Sequence, residues 1–184
     1  MRRKVHKWIW AWDFDKEEKW LNEMSDKGWS MVGYSFCTYE FEKTDSERYT
    51  YRLEFLKNGL NHPESQSYLE FLEETGAEQV GSWGRWVYLR KNRKLGGFDL
   101  FSDFESKIAH LKRIAFLFVP LALLNLGNGI SNILIGIQNT TFINPANFWV
   151  GCLCLSVALL LVYGDLRIWL KIKKLEKEKQ IYES

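Results

Sequence analysis

Two long apolar segments near the end of the chain constrain its fold more than any other feature. Residues 114–137 and 148–170 are each long enough to cross a bilayer as an α-helix, which takes about 20 predominantly apolar residues. The loop between them, residues 138–147, contains no charged residue. Residues before Lys112 are polar and patterned like a small soluble domain. The sequence therefore predicts a folded head followed by a two-helix transmembrane hairpin.

Basic residues around these segments predict an orientation. Cations precede the first segment and follow or end the second, at Lys107, Lys112, Arg113, Arg167, Lys171, Lys173, Lys174, Lys177 and Lys179. Cytoplasmic flanks of membrane helices are enriched in Lys and Arg. Trp149 and Trp169 would lie about 30 Å apart on one helix and anchor it at both interfaces. We expect a multi-pass cell-membrane protein with both termini and the head in the cytoplasm, and a basic and acidic tail at 171–184.

Charge and cysteine content narrow the functional classes. The formal net charge is +2 and the head has no basic run, whereas nucleic-acid binding needs a concentrated basic patch. Two of the three cysteines, Cys152 and Cys154, lie in a predicted membrane span, so no disulfide framework is indicated. Three scattered histidines and the lack of a CxxC motif argue against zinc. We expect no nucleic-acid partner, no metal and no cofactor.

The head, residues 1–95, shows the patterns of strands and helices. Alternating residues, many of them aromatic, predict six strands at 8–14, 29–34, 36–42, 49–55, 77–82 and 85–91. A helix follows the first strand and another follows the fourth, and Pro63 suits the first position of the second helix. Gly28 and Gly76 mark the helix ends, since glycine is preferred just past a helix C-terminus.

The two halves of the head repeat one pattern. Residues 20–33 align with residues 68–81 without a gap, so that Gly28 matches Gly76. The unit is β-α-β-β, used twice, which predicts an α+β head with a mixed or antiparallel sheet and both helices on one face. This arrangement is similar to the duplicated βαββ fold of GyrI-like effector-binding domains. The similarity implies a domain that holds small, often aromatic, molecules.

The aromatic residues of the head allow two interpretations. Alternation places Trp8, Trp10 and Trp12 on one face with Tyr49, Tyr51, Leu53 and Phe55. We favour the interpretation that this face is the core, because a small domain can fill its core with large rings. The other interpretation is an aromatic-walled pocket for a flat or cationic ligand, with Glu54 or Glu40 as a charge partner.

The candidate contact residues lie where packing constrains side chains least. Trp83 and Trp86 flank the predicted turn at 84–85 and are the best candidates for contact with a ligand or partner. Arg52 and Glu54 lie on the predicted wet face of their strand, and Glu40 is a further acidic candidate. We expect a small aromatic ligand or a protein partner at these positions.

A connector, residues 96–113, begins at Gly96–Gly97, which end the sheet, and contains a predicted helix capped by Ser102 with Glu105. In the first span, Asn125, Asn128, Asn132, Gly127 and Ser131 share a stripe of amide and small side chains. Such a stripe contacts either another membrane helix, in a homo-oligomer or a membrane-protein complex, or the second span at Cys152 and Ser156. We favour packing within the hairpin.

Asp165 lies about one helical turn inside Trp169, within the second predicted span. One interpretation is a polar network or a proton site in the membrane. The other, which we favour, is a carboxylate that snorkels towards the interface near Arg167.

Four blocks of residues 8–114, in order, resemble the bacterial DUF2812 family. They read DFDKEEKWLNEMSDKGW, YRLEFL, LEETGAEQVGSWGRWVYLRK and FDLFSDFESKIAHLKRI. Members of this family of unknown function commonly end in membrane helices, and their genes often sit beside PadR-type transcriptional regulators. The resemblance implies a role in envelope stress or drug response and carries over no catalytic residue.

These observations favour a non-enzymatic, membrane-anchored sensor or adaptor. Its cytoplasmic, aromatic-rich head would bind a small molecule or a protein partner, and the hairpin would hold it in the lipid bilayer. The alternative is an accessory subunit of a larger, transporter-like membrane complex that assembles through the hairpin. The chain contains no Ser-His-Asp set, P-loop, GxGxxG or HExxH motif, so we expect no enzymatic activity.

Overall fold

The computed structural model describes residues 1–138 and 145–183, which belong to two units, Met1–Ser102 and Asp103–Ser184. The first unit is the head, and the second is a pair of long helices. In chain order the elements are β1 (Arg2–His6), α1 (Phe14–Asp26), β2 (Trp29–Ser35), β3 (Thr38–Lys43), β4 (Tyr49–Phe55), α2 (Pro63–Glu74), β5 (Ala77–Trp83), β6 (Trp86–Asn92), α3 (Phe104–Gln138) and α4 (Pro145–Glu183).

Both halves of the head have the same topology. Each forms a three-stranded antiparallel sheet, in the orders β1-β3-β2 and β4-β6-β5. The register shifts between Met31 and Gly33 in β2 and between Gln79 and Gly81 in β5, which are matching positions of the aligned repeat. The α+β class and the duplicated βαββ unit are therefore confirmed.

The two repeats do not share one sheet, and their helices do not cover one face. Leu21 of α1 belongs to the same core cluster as Tyr88 of β6, whereas Leu69 of α2 packs with Val87. Adjacent residues of a strand point to opposite faces, so the two helices lie on opposite faces of the second sheet. The prediction of a single sheet with both helices on one face is wrong, because α1 packs between the repeats.

The first strand lies earlier in the chain than the Trp alternation predicted. The register pairs His6 with Thr38, the first residue of β3, so no partner backbone remains for a strand at 8–14. The chain instead makes a short 3₁₀ turn at Ala11–Asp13 before α1 begins. Trp12 is buried, but Trp8 and Trp10 are exposed. Their assignment to the core is wrong.

Polar side chains of α1 hydrogen-bond to the backbone of β4, the edge strand of the second sheet. The Asn22 side chain accepts from the backbone N–H of Tyr51 (2.9 Å) and donates to its carbonyl (3.2 Å). The Ser25 hydroxyl donates to the Tyr49 carbonyl (2.7 Å) and accepts from its N–H (3.1 Å). An uncovered edge strand presents a row of unpaired backbone groups, and the side chains of α1 bond to these groups of β4.

Glu18 completes this row of contacts. Its Oε1 accepts a hydrogen bond from the backbone N–H of Leu53 at 2.7 Å. Positions 18, 22 and 25 lie on one face of a helix, and positions 49, 51 and 53 point their backbone groups to one side of a strand. Three side chains on one face of α1 therefore bond to three alternate residues of β4, and these contacts join the two repeats.

Close backbone contacts hold the two long helices together. A Cβ atom added to Gly129 of α3 would lie 2.7 Å from the side chain of Leu155, and one added to Gly151 of α4 would lie 2.8 Å from the Gly129 carbonyl. Glycine at these positions lets the helices approach closely. Both helices are long and apolar enough to cross a membrane.

The bounds of the helical unit differ from the sequence expectations at its ends. The predicted connector and first span form one helix, α3, and the Asp103 side chain accepts a hydrogen bond from the Ser106 N–H (2.7 Å) near its start. Asp103 binds there because it lies three residues before Ser106, the spacing of an N-cap. The helix α4 includes the tail as far as Glu183. Of the predicted external loop, residues 139–144 lie outside the described residues.

We predict that Asn22→Ala destabilises the head by about 2 kcal/mol, because it leaves the partly buried backbone N–H of Tyr51 without its side-chain acceptor, whereas the carbonyl keeps a hydrogen bond from Arg52. Urea unfolding of the detergent-solubilised chain, followed by tryptophan fluorescence, measures this. The matched control is Glu70→Ala, at the equivalent exposed position of α2. Equal unfolding midpoints for the two variants would show that the contact of α1 with β4 contributes little.

Candidate functional site

Four aromatic side chains form an exposed cluster in the head, which we call the aromatic patch. Trp8 and Trp10 lie between β1 and α1, Phe36 lies in the β2–β3 turn, and Trp83 ends β5. Their exposed fractions are 57%, 39%, 55% and 50%, whereas the core ring of Tyr51 is fully buried. Exposed apolar rings in contact with one another are the informative exception on a protein surface.

The rings of the aromatic patch form a continuous chain of contacts. The centroids of Trp8 and Trp10 lie 5.2 Å apart, those of Trp8 and Phe36 lie 5.7 Å apart, and those of Phe36 and Trp83 lie 5.2 Å apart. Trp10 also stacks on the buried Trp12 at 4.8 Å, with an interplanar angle of 5°. The patch is therefore attached to the core at one end.

The patch draws rings from both repeats because β2 and β5 run close together. A Cβ atom added to Gly81 would lie 2.8 Å from the Cβ of Tyr34, so a larger residue there would push the strands apart. This approach lets Phe36, in the turn after β2, contact Trp83, at the end of β5. A glycine within a strand often marks such a close backbone approach.

Both turns that carry patch residues are fixed by hydrogen bonds. The Arg85 guanidinium, in the β5–β6 turn, donates to the carbonyls of Leu56 (2.7 Å) and Lys57 (2.5 Å). In the β2–β3 turn, Cys37 adopts φ 54°, and its N–H donates to the Tyr34 hydroxyl at 3.4 Å. The turns that carry Phe36 and Trp83 are thus fixed by hydrogen bonds of the chain itself.

The five residues proposed from the sequence as ligand or partner contacts are dispersed. Trp83 alone lies in the aromatic patch. Trp86 is half-buried and packs on Phe14 (5.5 Å between centroids) and Phe55 (5.1 Å). Glu54 is 1% exposed. Its side chain is therefore buried, whereas the sequence predicted a solvent-exposed face.

The other two candidates form ion pairs on different strands. The Arg52 guanidinium lies 3.1 Å from the Asp99 carboxylate. The Glu40 carboxylate lies 2.7 Å from the Lys4 ammonium, whose hydrogen bond and charge lower the pKa of Glu40. The charges of Arg52 and Glu40 are thus paired within the head itself.

A buried carboxylate connects the two repeats. Glu17 of α1 is 6% exposed, and its Oε1 accepts hydrogen bonds from the hydroxyls of Tyr39 on β3 (2.5 Å) and Tyr88 on β6 (2.7 Å). Tyr34 stacks on Tyr88 at 4.4 Å. Burial raises the pKa of Glu17, and the two tyrosine hydrogen bonds oppose this rise. Because these groups are buried and bonded to one another, the cluster positions the strands behind the patch.

Charged side chains of the head form ion pairs and cation–π contacts. The Arg93 guanidinium lies 2.7 Å from the Asp26 carboxylate, and the Lys7 ammonium lies 4.2 Å from the ring centroid of Trp20. Within residues 1–138 and 145–183, no three His, Cys, Asp or Glu side chains are grouped to hold a metal ion. The charged side chains named here are therefore held in contacts within the head.

Sequence reasoning missed most of the patch and the buried carboxylate, although signals for both exist. Phe36 is a large apolar residue at a predicted hairpin turn, a position from which a side chain does not usually pack in the core. Trp8 and Trp10 were assigned to the core because the first strand was predicted at 8–14. Glu17 lies four residues before Leu21, on the apolar stripe of its helix, a position that predicts burial.

The predicted amide stripe of α3 is bonded partly within its own helix. Asn125 donates to the Leu121 carbonyl (2.9 Å) and Asn132 to the Asn128 carbonyl (2.9 Å). On α4, the Ser156 hydroxyl donates to the carbonyl of Cys152 (2.8 Å). Such a bond satisfies the serine hydroxyl donor, or one of the two N–H donors of an asparagine amide, without a second helix. The interface candidates Trp149 and Trp169 are 68% and 52% exposed.

The small pair of the stripe lies away from α4. Gly127, Asn128 and Ser131 are exposed, and a Cβ atom added to Gly127 would meet nothing within 4 Å. Gly129, two residues further on, instead packs against Leu155. The pair of Gly127 and Ser131 therefore forms an outer face of the hairpin.

We predict that head stability falls as pH rises from about 4.5 to 7. Burial raises the pKa of Glu18 to about 7, against an ordinary value of 4.5, so between these values the folded state binds the extra proton. The loss should be at most about 3 kcal/mol and complete roughly one pH unit above 7. Glu18→Gln, which copies Gln66 of the second repeat, should make the fall of unfolding free energy with pH smaller, and the raised pKa of Glu17 accounts for the part that remains.

The control for this profile is Glu23→Gln, an exposed carboxylate on the same helix. It should retain the fall of stability with pH that the parent chain shows. A profile unchanged by Glu18→Gln would contradict the assignment.

Comparison with known proteins identifies the family of the chain. The model of the family described as "Protein of unknown function (DUF2812)" matches residues 13–123, which include most of the head and the first part of α3. No curated protein matches the chain. No solved structure matches it either, so the similarity to GyrI-like domains stays a prediction. Because the family model covers more than half of the sequence, the chain belongs to the DUF2812 family.

Proposed function

We propose that the protein is a non-enzymatic, membrane-anchored adaptor whose head binds a protein partner through the aromatic patch. The observation that carries this proposal is the cluster of four exposed rings, Trp8, Trp10, Phe36 and Trp83, contributed by both repeats. Aromatic anchors near the centre of an interface supply most of its binding free energy.

The dimensions of the patch favour a protein over a small molecule. From the exposed fractions of its four rings, and side chains of 150–250 Å² each, the patch exposes on the order of 400 Å². That area fits the apolar centre of an interface that covers roughly 800 Å² on each partner. The rings that a ligand pocket would need, such as Tyr39 and Tyr51, are instead packed in the core.

The two long helices support a location in the membrane. Their apolar side chains are widely exposed; Phe116 is 80% exposed and Leu159 is 71% exposed, values unlike those of core helices in soluble proteins. A bilayer would cover these side chains. The Lys and Arg residues that flank both apolar segments favour a cytoplasmic location for the head and both termini.

The buried acids support a role without catalysis. A catalytic carboxyl group must reach a substrate, and the Glu17 carboxylate is bonded instead to Tyr39 and Tyr88. Glu54 is equally buried. In this proposal the buried acids of the head have a structural role: they hold the strands that carry the patch.

Site-specific photocrosslinking in intact cells tests the adaptor function. A benzophenone amino acid replaces Phe36 in the patch or, as the matched control, Phe71, which is 58% exposed on α2. We expect a discrete protein adduct from position 36 and none from position 71. Adding Trp83→Ala should reduce the adduct about tenfold, because it removes a neighbouring anchor.

Three outcomes would contradict the adaptor function. Equal adducts from both positions would indicate random collisions. Adducts with lipid alone would assign the patch to the membrane surface, and adducts with a small molecule alone would assign it to a ligand. In each case the patch would not be a protein-binding surface.

A second candidate function is an accessory subunit of a larger membrane complex. The observation that favours it is the outer face of α3, where Gly127, Asn128 and Ser131 are exposed. Small residues four positions apart allow close approach of another helix, and an exposed amide can bond across the contact. The partner is a second copy of this chain or another membrane protein.

We predict that Gly127→Leu removes this association while the hairpin stays folded, because a side chain there meets open space within the chain. The matched variant Gly129→Leu should instead lower the melting temperature, since its side chain would overlap Leu155. Native mass spectrometry from mild detergent reports the assembly. A complex that persists in Gly127→Leu would exclude this face as its interface.

A further inference from the structure

An apolar groove runs along one side of the helical hairpin. It encloses about 350 Å³, a volume within the range of small-molecule sites. Val119, Ala122 and Leu123 of α3 line one wall, and Ala158 and Val162 of α4 line the other. The two alanines are buried, at 6% and 3% exposure, and their small side chains leave the space that forms the groove.

Asp165 is the charged residue of the groove lining. Its Oδ1 atom is buried, and the structure gives it no hydrogen-bond partner within residues 1–138 and 145–183. The expected partner, Arg167, lies two positions further along α4, and such neighbours do not face each other on a helix. The Arg167 guanidinium donates instead to the Tyr163 hydroxyl, at 3.1 Å.

A carboxylate in an apolar setting needs a counter-charge. Asp165 is in this position, because the rest of the groove lining is hydrocarbon and a membrane would surround the hairpin with more hydrocarbon. Ionisable residues within membrane segments are costly unless they pair, and they mark functional sites. The occupant that complements the groove therefore carries one positive charge on an apolar body.

We propose that the groove binds a lipophilic monocation, with the Asp165 carboxylate as its counter-ion and the walls around Ala122 and Ala158 as its apolar seat. The charge selects the cation, and the hydrocarbon walls select an apolar body that enters from the lipid. This site is separate from the aromatic patch, and its failure would leave the adaptor function untouched.

Binding of tetraphenylphosphonium to the full-length protein in lipid nanodiscs tests the proposal. Saturable binding above that of empty nanodiscs is expected. Asp165→Asn should weaken it at least about tenfold, since it removes the counter-ion. Asp165→Glu should restore much of the affinity, and Glu183→Gln, which removes a carboxylate elsewhere on α4, should leave it unchanged.

A second variant tests the shape of the groove with the charge intact. Leu123 is 63% exposed at the groove, so Leu123→Trp adds bulk there without overfilling a buried site. It should weaken tetraphenylphosphonium binding although Asp165 remains. This variant keeps the test decisive if Asp165→Asn fails to fold.

Three results would overturn the proposal. The first is an absence of saturable binding to the parent chain. The second is equal affinity of the parent chain, Asp165→Asn and Leu123→Trp, which would mean that the probe only partitions into lipid. The third is a parent chain that binds no probe and co-purifies with another membrane protein in an Asp165-dependent way, which would assign the carboxylate to a partner helix.

Discussion

The contact of α1 with the edge of β4 is the interaction on which the rest of the head depends. Asn22 and Ser25 bond to the backbone of Tyr51 and Tyr49 and take the place that another strand would occupy. The edge of the second sheet is thereby closed by the helix of the first repeat. Because a βαββ unit of this size buries little apolar surface alone, joining the repeats adds a shared core, in which Leu21 of the first repeat packs with Tyr51 and Tyr88 of the second.

This contact also explains why two similar repeats have helices in different roles. The α2 position equivalent to Asn22 is Glu70, which is exposed, so α2 has no comparable row of contacts with a strand edge. With α1 between the repeats, Glu17 reaches both Tyr39 and Tyr88. The same arrangement brings the equivalent hairpins together, and the aromatic patch is a consequence of that pairing.

Local patterns predicted those parts of the fold that depend on neighbours in sequence. The end of α1 near Gly28, the start of α2 at Pro63 and the strand 49–55 all agree with the structure. Alternation failed at Trp8 and Trp10, because a strand also needs a partner, and β3 begins opposite His6. Of the candidate site, only Trp83 was predicted, since the patch exists only once the two repeats are joined.

The head and the hairpin each contain one feature that conflicts with its surroundings. On the polar head, Trp8 and its neighbours expose apolar rings to water; in the apolar hairpin, Asp165 places a carboxylate among hydrocarbon side chains. Each arrangement is unfavourable for the isolated chain. The hydrophobic effect disfavours the exposed rings of the head, and desolvation disfavours the carboxylate of the hairpin. We explain each feature by a second molecule that covers the exposed rings or pairs with the carboxylate, and thereby removes the free-energy cost. The two partners that we propose therefore differ in chemistry: an apolar surface complements the rings of the head, and a cation complements the carboxylate of the hairpin.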